Sequence, residues 1–127
     1  MNAEDIAYWF FRLNGCLNIQ NFLVHHEQRG REGTDIDILA VRFPYRQELK
    51  HAKQGKPMLD HECFQPNNRI DLIIAEVKRG DCNLNGPWTD PQKRNMDRVL
   101  YAIGAFQDEL ISQVADALYN EQYYGND

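Results

Sequence analysis

Two stretches of this chain set charged side chains where apolar ones would be expected. Ala75-Glu76-Val77-Lys78 closes an apolar run that starts at Ile70, and Thr34-Asp35-Ile36-Asp37-Ile38-Leu39-Ala40-Val41 carries two aspartates through a second such run. In an extended chain, residues two apart share a face, so Glu76 and Lys78 point one way while Ala75 and Val77 point the other. The same rule puts Asp35 and Asp37 together, opposite Ile36 and Ile38. Charges inside apolar strands are costly to bury without partners. If the two strands pair, two carboxylates and an ammonium meet, and a divalent cation would account for them. Mg²⁺ takes one or two carboxylates and completes its octahedron with waters, carbonyls or phosphate oxygens. Such an ion neutralises a phosphate under attack and activates water, while a neighbouring lysine offsets charge developing on the phosphorane oxygens. This is the chemistry of phosphodiester hydrolysis. Asp35 and Asp37 both qualify as the second carboxylate, and Asp37 lies deeper in the apolar run.

Positioning these groups requires a particular order of elements. Ile6, Trp9, Phe10 and Leu13 fall at i, i+3, i+4 and i+7, which predicts a helix over Ala3 to Leu13 with that stripe toward the core and Asn14-Gly15 as its stop. Trp9, Phe10 and Phe11 are expected to build core. Leu17 to His25 reads as a first strand and Thr34 to Phe43 as a second, ended by Pro44. Tyr45 to Arg69 is a polar excursion with Gly55, Pro57 and Pro66, in which Gln47 to Lys53 suits a short helix. Ile70 to Val77 is the strongest strand signal in the chain. Thr89-Asp90-Pro91 is a good helix start, followed by the face Met96, Val99, Leu100, Ile103 and Phe106, and Leu110 to Leu118 gives a further helix.

Helix, strand, strand with an acidic residue, then strand with Glu-x-Lys resembles the αβββαβ core of the PD-(D/E)xK superfamily of restriction-endonuclease-like nucleases. The matching residues are Asp37, Glu76, Val77 and Lys78. The resemblance implies that Asp37 and Glu76 bind Mg²⁺ or Mn²⁺, that the Val77 carbonyl adds a ligand, and that Lys78 orients the attacking water. Some branches also use a glutamate of the first helix, which here is Glu4. The implied fold is α/β, a mixed sheet flanked by helices, and the implied activity is metal-dependent cleavage of nucleic acid, DNA before RNA. A catalytically silent module of the same fold, binding nucleic acid or protein, is the alternative. The chain departs from the pattern in carrying Ile36 instead of proline before Asp37, and in a long connection before Glu76. It also lacks the last strand of that core. Either Tyr119 to Tyr124 is a poor substitute, or the chain is the N-terminal part of a longer one that continues past Asp127.

With 127 residues, 43% of them hydrophobic, the chain suits one domain with one core. No segment is apolar for the roughly 20 residues a membrane crossing needs, so no membrane partner is expected. Cys16, Cys63 and Cys82 are odd in number and scattered, as in a reducing, cytoplasmic setting. His51, His61, Cys63 and Cys82 match no paired zinc-ligand spacing. The net charge is −5, but all 14 lysines and arginines precede Asp108, and residues 108–127 form an acidic helical tail. A basic insertion loop at 44–69, next to Arg42, could face a polyanion, although solvated loop is the plainer reading. Arg79, Lys93, Arg94 and Arg98 are further candidates for phosphate contact, with Arg94 and Arg98 on one helix face. Self-association into a homodimer is compatible with this sequence.

Overall fold

The computed structural model describes residues 1–31, 33–51, 53, 59–64 and 68–125. Gly55, Pro57, Pro66 and Asp127 of the sequence reading fall outside them. The elements run α1 (Ala3–Leu13), β1 (Leu17–Val24), β2 (Thr34–Arg42), β3 (Asp71–Ala75), α2 (Gly86–Thr89), a 3₁₀ turn (Pro91–Lys93), α3 (Asn95–Ile103) and α4 (Asp108–Glu121). The chain is thus α/β, and it packs as two compact units, Met1–Phe22 with Ile36–Gly80 and Leu23–Asp35 with Asp81–Asp127.

In the first unit, Asn2 caps α1: its side chain accepts from the Asp5 amide at 2.9 Å, and the Asp5 carboxylate accepts from the Asn2 amide at 3.3 Å. Asn14 closes the helix, and Gly15, at φ +86°, takes the left-handed turn that releases the chain into β1. The strands form a three-stranded antiparallel sheet in the order β1-β2-β3. In β2, Ile36, Ile38, Ala40 and Arg42 are buried and alternate with half-buried residues, the period of two that a strand imposes. Ile38 and Ala40 join Cys16 and Phe64 in the core, and Ala7, Tyr8 and Phe11 of α1 and Ile73 and Ala75 of β3 pack against them. Burial pushes the Cys16 thiol pKa up.

In the second unit, α3 packs on α4 through a core in which Val99, Leu100, Ile111 and Val114 are almost wholly buried. The Tyr119 hydroxyl accepts from the Met96 amide at 2.9 Å, satisfying an N–H that a helix start leaves open.

Several expectations need correction. The stripe Ile6, Trp9, Phe10, Leu13 is not the core face of α1; all four are exposed, and Ala7, Tyr8 and Phe11 face inward. Helix α1 has two apolar faces, and the one with the small Ala7 lets the helix approach the sheet closely. The sheet is antiparallel, not mixed, because among the described residues no strand follows β3 to supply a parallel partner. Residues 119–121 end α4 instead of forming a strand. At 47–51 the backbone makes a bridge and turns, not a helix. The helix expected from Pro91 breaks at Arg94, which sits at φ +53° between the 3₁₀ turn and α3.

Candidate metal centre

Strand β3 stops at Ala75, two residues short of the expected end, and the reason lies in the candidate site itself. Ile38 pairs with Ala75 in the ladder. One step further, the same register sets Asp37 against Glu76. There the Asp37 side chain intervenes: its Oδ2 accepts the Val77 N–H at 2.8 Å. The amide of Val77 is therefore satisfied by a carboxylate where a ladder would use a β2 carbonyl, and regular pairing ends. A charge-assisted bond of this kind offsets the cost of holding Asp37 half-buried in an apolar strand.

This bond joins the aspartate of β2 to the Glu76-Val77-Lys78 segment. Asp37, Glu76 and Lys78 are each half-buried, and Arg79 beyond them is exposed. A carboxylate has about four lone-pair positions, and one N–H occupies a single one of them, so Asp37 can still coordinate a cation. Two anionic carboxylates match the charge of one divalent ion, and the oxygen donors are the hard type that Mg²⁺ and Mn²⁺ prefer. By chemistry, the donor set fits the implied metal.

Glu4 lies in the first turn of α1, in line with Ala7, Tyr8 and Phe11 at i+3, i+4 and i+7. Those residues pack on the Ile38 and Ala75 face of the sheet. The register puts Asp37 and Glu76 on the other face. Among the described residues, no three His, Cys, Asp or Glu side chains gather closely enough to hold a metal ion. The structure thus links Asp37 to Val77, the residue between Glu76 and Lys78, while Glu4 lies in the first turn of α1. A cleft of about 440 Å³ lined by Arg12, Cys16, Leu17, Asn18, Ile19, Leu39 and Val41 contains none of these groups.

Arg98 forks onto Glu27 at 2.6 and 2.8 Å and also donates to the Lys93 carbonyl at 2.6 Å. The Arg98 guanidinium holds the Glu27 carboxyl down to about 2. Arg94 is exposed, 3.8 Å from Asp97. Its left-handed backbone makes it the N-cap of α3, and its carbonyl accepts from the Arg98 amide at 3.3 Å.

Sequence reasoning missed a buried ion-pair cluster at the other end of β2. Asp60 accepts from Arg42 at 2.5 Å and from Arg46 at 3.1 and 3.2 Å, and Arg46 also reaches Glu48 at 2.5 Å. Arg42 further donates to the Asn14 carbonyl at 3.1 Å and stacks over Phe64, and the Asn14 side chain accepts from the His61 amide at 2.7 Å. Burial works against the Asp60 carboxylate, but the hydrogen bonds and charges of Arg46 and Arg42 together outweigh it and lower its pKa. Asp60 in turn raises the pKa of Arg46. Two of the bases counted toward a polyanion-binding surface are thus committed internally. The period of two was the available signal: Arg42 occupies a buried-face position after Ile36, Ile38 and Ala40.

Comparison with protein-family models, with curated proteins and with solved structures finds no match to this chain.

Proposed function

We propose that the chain is a Mg²⁺- or Mn²⁺-dependent nuclease domain of the PD-(D/E)xK type, hydrolysing phosphodiester bonds in nucleic acid, DNA before RNA. The observation that carries this reading is the Asp37 to Val77 hydrogen bond, which couples the acid of one strand to the Glu-x-Lys segment of the next. Asp37 and Glu76 would hold the cation, with the Val77 carbonyl as a neutral donor. When bound, the ion supplies Lewis-acid stabilisation of a phosphate oxygen and lowers the pKa of water. The Val77 amide fixes the direction of Asp37, so that this carboxylate does not reorganise during the reaction. Lys78 would orient the attacking water and balance the charge that builds on the non-bridging phosphate oxygens. The exposed Arg79 is available for a backbone phosphate. The three cysteines, all free, suit a cytoplasmic setting.

The test is cleavage of supercoiled plasmid with Mg²⁺ or Mn²⁺. Glu76→Ala and Lys78→Ala should each lower the rate by about 10² or more while far-ultraviolet circular dichroism is unchanged. Undiminished cleavage by both variants would remove the assigned site. Titration calorimetry with Mn²⁺ distinguishes a silent module, since loss of heat on Glu76→Ala is expected only of a working metal centre.

A further inference from the structure

The first helix carries an apolar stripe that its own core does not use. Ile6, Trp9, Phe10 and Leu13 are 59, 46, 38 and 65% exposed, while Ala7, Tyr8 and Phe11 pack inward. At 3.6 residues per turn the two sets lie on nearly opposite sides of α1. Single exposed apolar side chains are ordinary. Four in one stripe, two of them aromatic, make a contiguous patch of the kind that marks an interface. An edge contact with His61 and a tilted contact with Phe64 already fix the Phe10 ring.

The charges beside the stripe point to its occupant. Asp5 directly precedes Ile6 and Arg12 directly precedes Leu13, so both flank the same side of it. When two helices pack antiparallel, equivalent flanking positions meet across the seam. Setting Ile6 of one α1 against Leu13 of a second, oppositely running α1 places Trp9 across from Phe10 and brings Asp5 of each copy within one helical turn of Arg12 of the other. Opposed helix dipoles favour the same arrangement. A parallel pairing would instead set this flank against the uncharged flank of Ala3 and Ala7, leaving Asp5 and Arg12 without each other. Both groups retain capacity for this contact. The Asp5 carboxylate uses only Oδ2 in its cap, and Arg12 donates to the Tyr8 hydroxyl from one nitrogen at 2.7 Å while stacking near the Tyr8 and Trp9 rings.

We propose that α1 is a self-association surface: two copies of this chain pair through antiparallel α1 helices, with Ile6, Trp9, Phe10 and Leu13 buried between two Asp5–Arg12 pairs. The contact is isologous, so it closes at a dimer. Four side chains per copy make a small interface, and association is therefore weak and reversible. The proposal does not depend on the nuclease reading.

Sedimentation velocity of the full chain, over about 5 to 500 µM, tests it. The wild type should shift from monomer to dimer with concentration. Ile6→Lys with Leu13→Glu should stay monomeric across the series at unchanged circular dichroism, since both side chains are exposed in the monomer. Arg12→Glu alone should weaken the dimer at least tenfold, and adding Asp5→Lys should restore it, because the flanking pair is then reversed. The Asn2 side chain still caps the Asp5 position in that variant through the backbone amide. A wild type that remains monomeric throughout, or a dimer that survives Ile6→Lys with Leu13→Glu, overturns the proposal. An Arg12→Glu variant that dimerises as well as the wild type overturns the antiparallel register.

Discussion

Removing the Asp60 carboxylate should be among the most damaging single changes in the first unit. The Arg42 and Asp60 side chains are 7 and 10% exposed, so their ion pair is screened little by solvent. Asp60→Ala removes the carboxylate that pairs with the buried Arg42 guanidinium, which still donates to the Asn14 carbonyl and stacks over the Phe64 ring. Breaking a buried pair on one side typically costs 3–5 kcal/mol, and because Arg46 can turn outward we expect about 3. For a chain of this length that lowers Tm by on the order of 10 °C. Glu48→Ala removes a partner that is 52% exposed, and should cost less than about 1 kcal/mol. Urea unfolding of both variants beside the wild type measures the contrast. Replacing both members of the pair, Arg42→Met with Asp60→Leu, should recover much of the loss, since an apolar pair needs no counter-charge. The pH dependence has a definite sign. The folded-state pKa of Asp60 lies below the ordinary 3.8, so its contribution is complete above that value and disappears as pH falls through the folded pKa. The gap between wild type and Asp60→Ala should be flat from neutrality to about pH 5 and shrink below pH 4. An Asp60→Ala variant as stable as Glu48→Ala would refute the reasoning.

Three other outcomes follow from the geometry. Gly15→Ala should destabilise by about 1–2 kcal/mol, because φ is +86° and a Cβ there would stand 1.8 Å from Arg46 Nε, pushing that side chain off Asp60; urea midpoints report it. Asp37→Ala, which leaves the Val77 amide without its acceptor, should cost about 1–2 kcal/mol, whereas Asp37→Asn keeps a carbonyl oxygen there and should stay within about 1 kcal/mol of wild type in the same assay. In a carbon-detected NMR titration Glu27 should titrate near 2 in the wild type and return toward 4.5 in Arg98→Gln; an unshifted Glu27 in the wild type would show that the fork with Arg98 does not persist in solution.

Where local chemistry decided the outcome, the sequence was readable. Helix α1 spans the expected Ala3–Leu13, with Asn14 and Gly15 at its end, and Pro44 follows the end of β2 by two positions. Where the outcome depended on tertiary competition, it was not. Periodicity found a stripe on α1 but could not tell which of two apolar faces meets the sheet. The end of β3 depended on a side chain forty positions away outbidding a strand for one amide. Arg94 in a left-handed conformation breaks a helix that propensity alone would continue. The pairing of β2 with β3 was legible in outline, since both runs read as strands from their apolar, β-branched composition. The commitment of Arg42 and Arg46 to Asp60 was not, because composition counts charges without regard to their partners.

The dual duty of Asp37 has a consequence for how this chain and any relatives should be compared. One carboxylate both stitches two strands together and offers oxygen to a would-be ligand, so selection for architecture alone is enough to keep an acid or amide there. Under the proposed nuclease reading, Glu76 and Lys78 would be kept for the chemistry itself, so substitution at those two positions would silence the activity. An intact Asp37 is thus, by itself, poor testimony for the proposed activity.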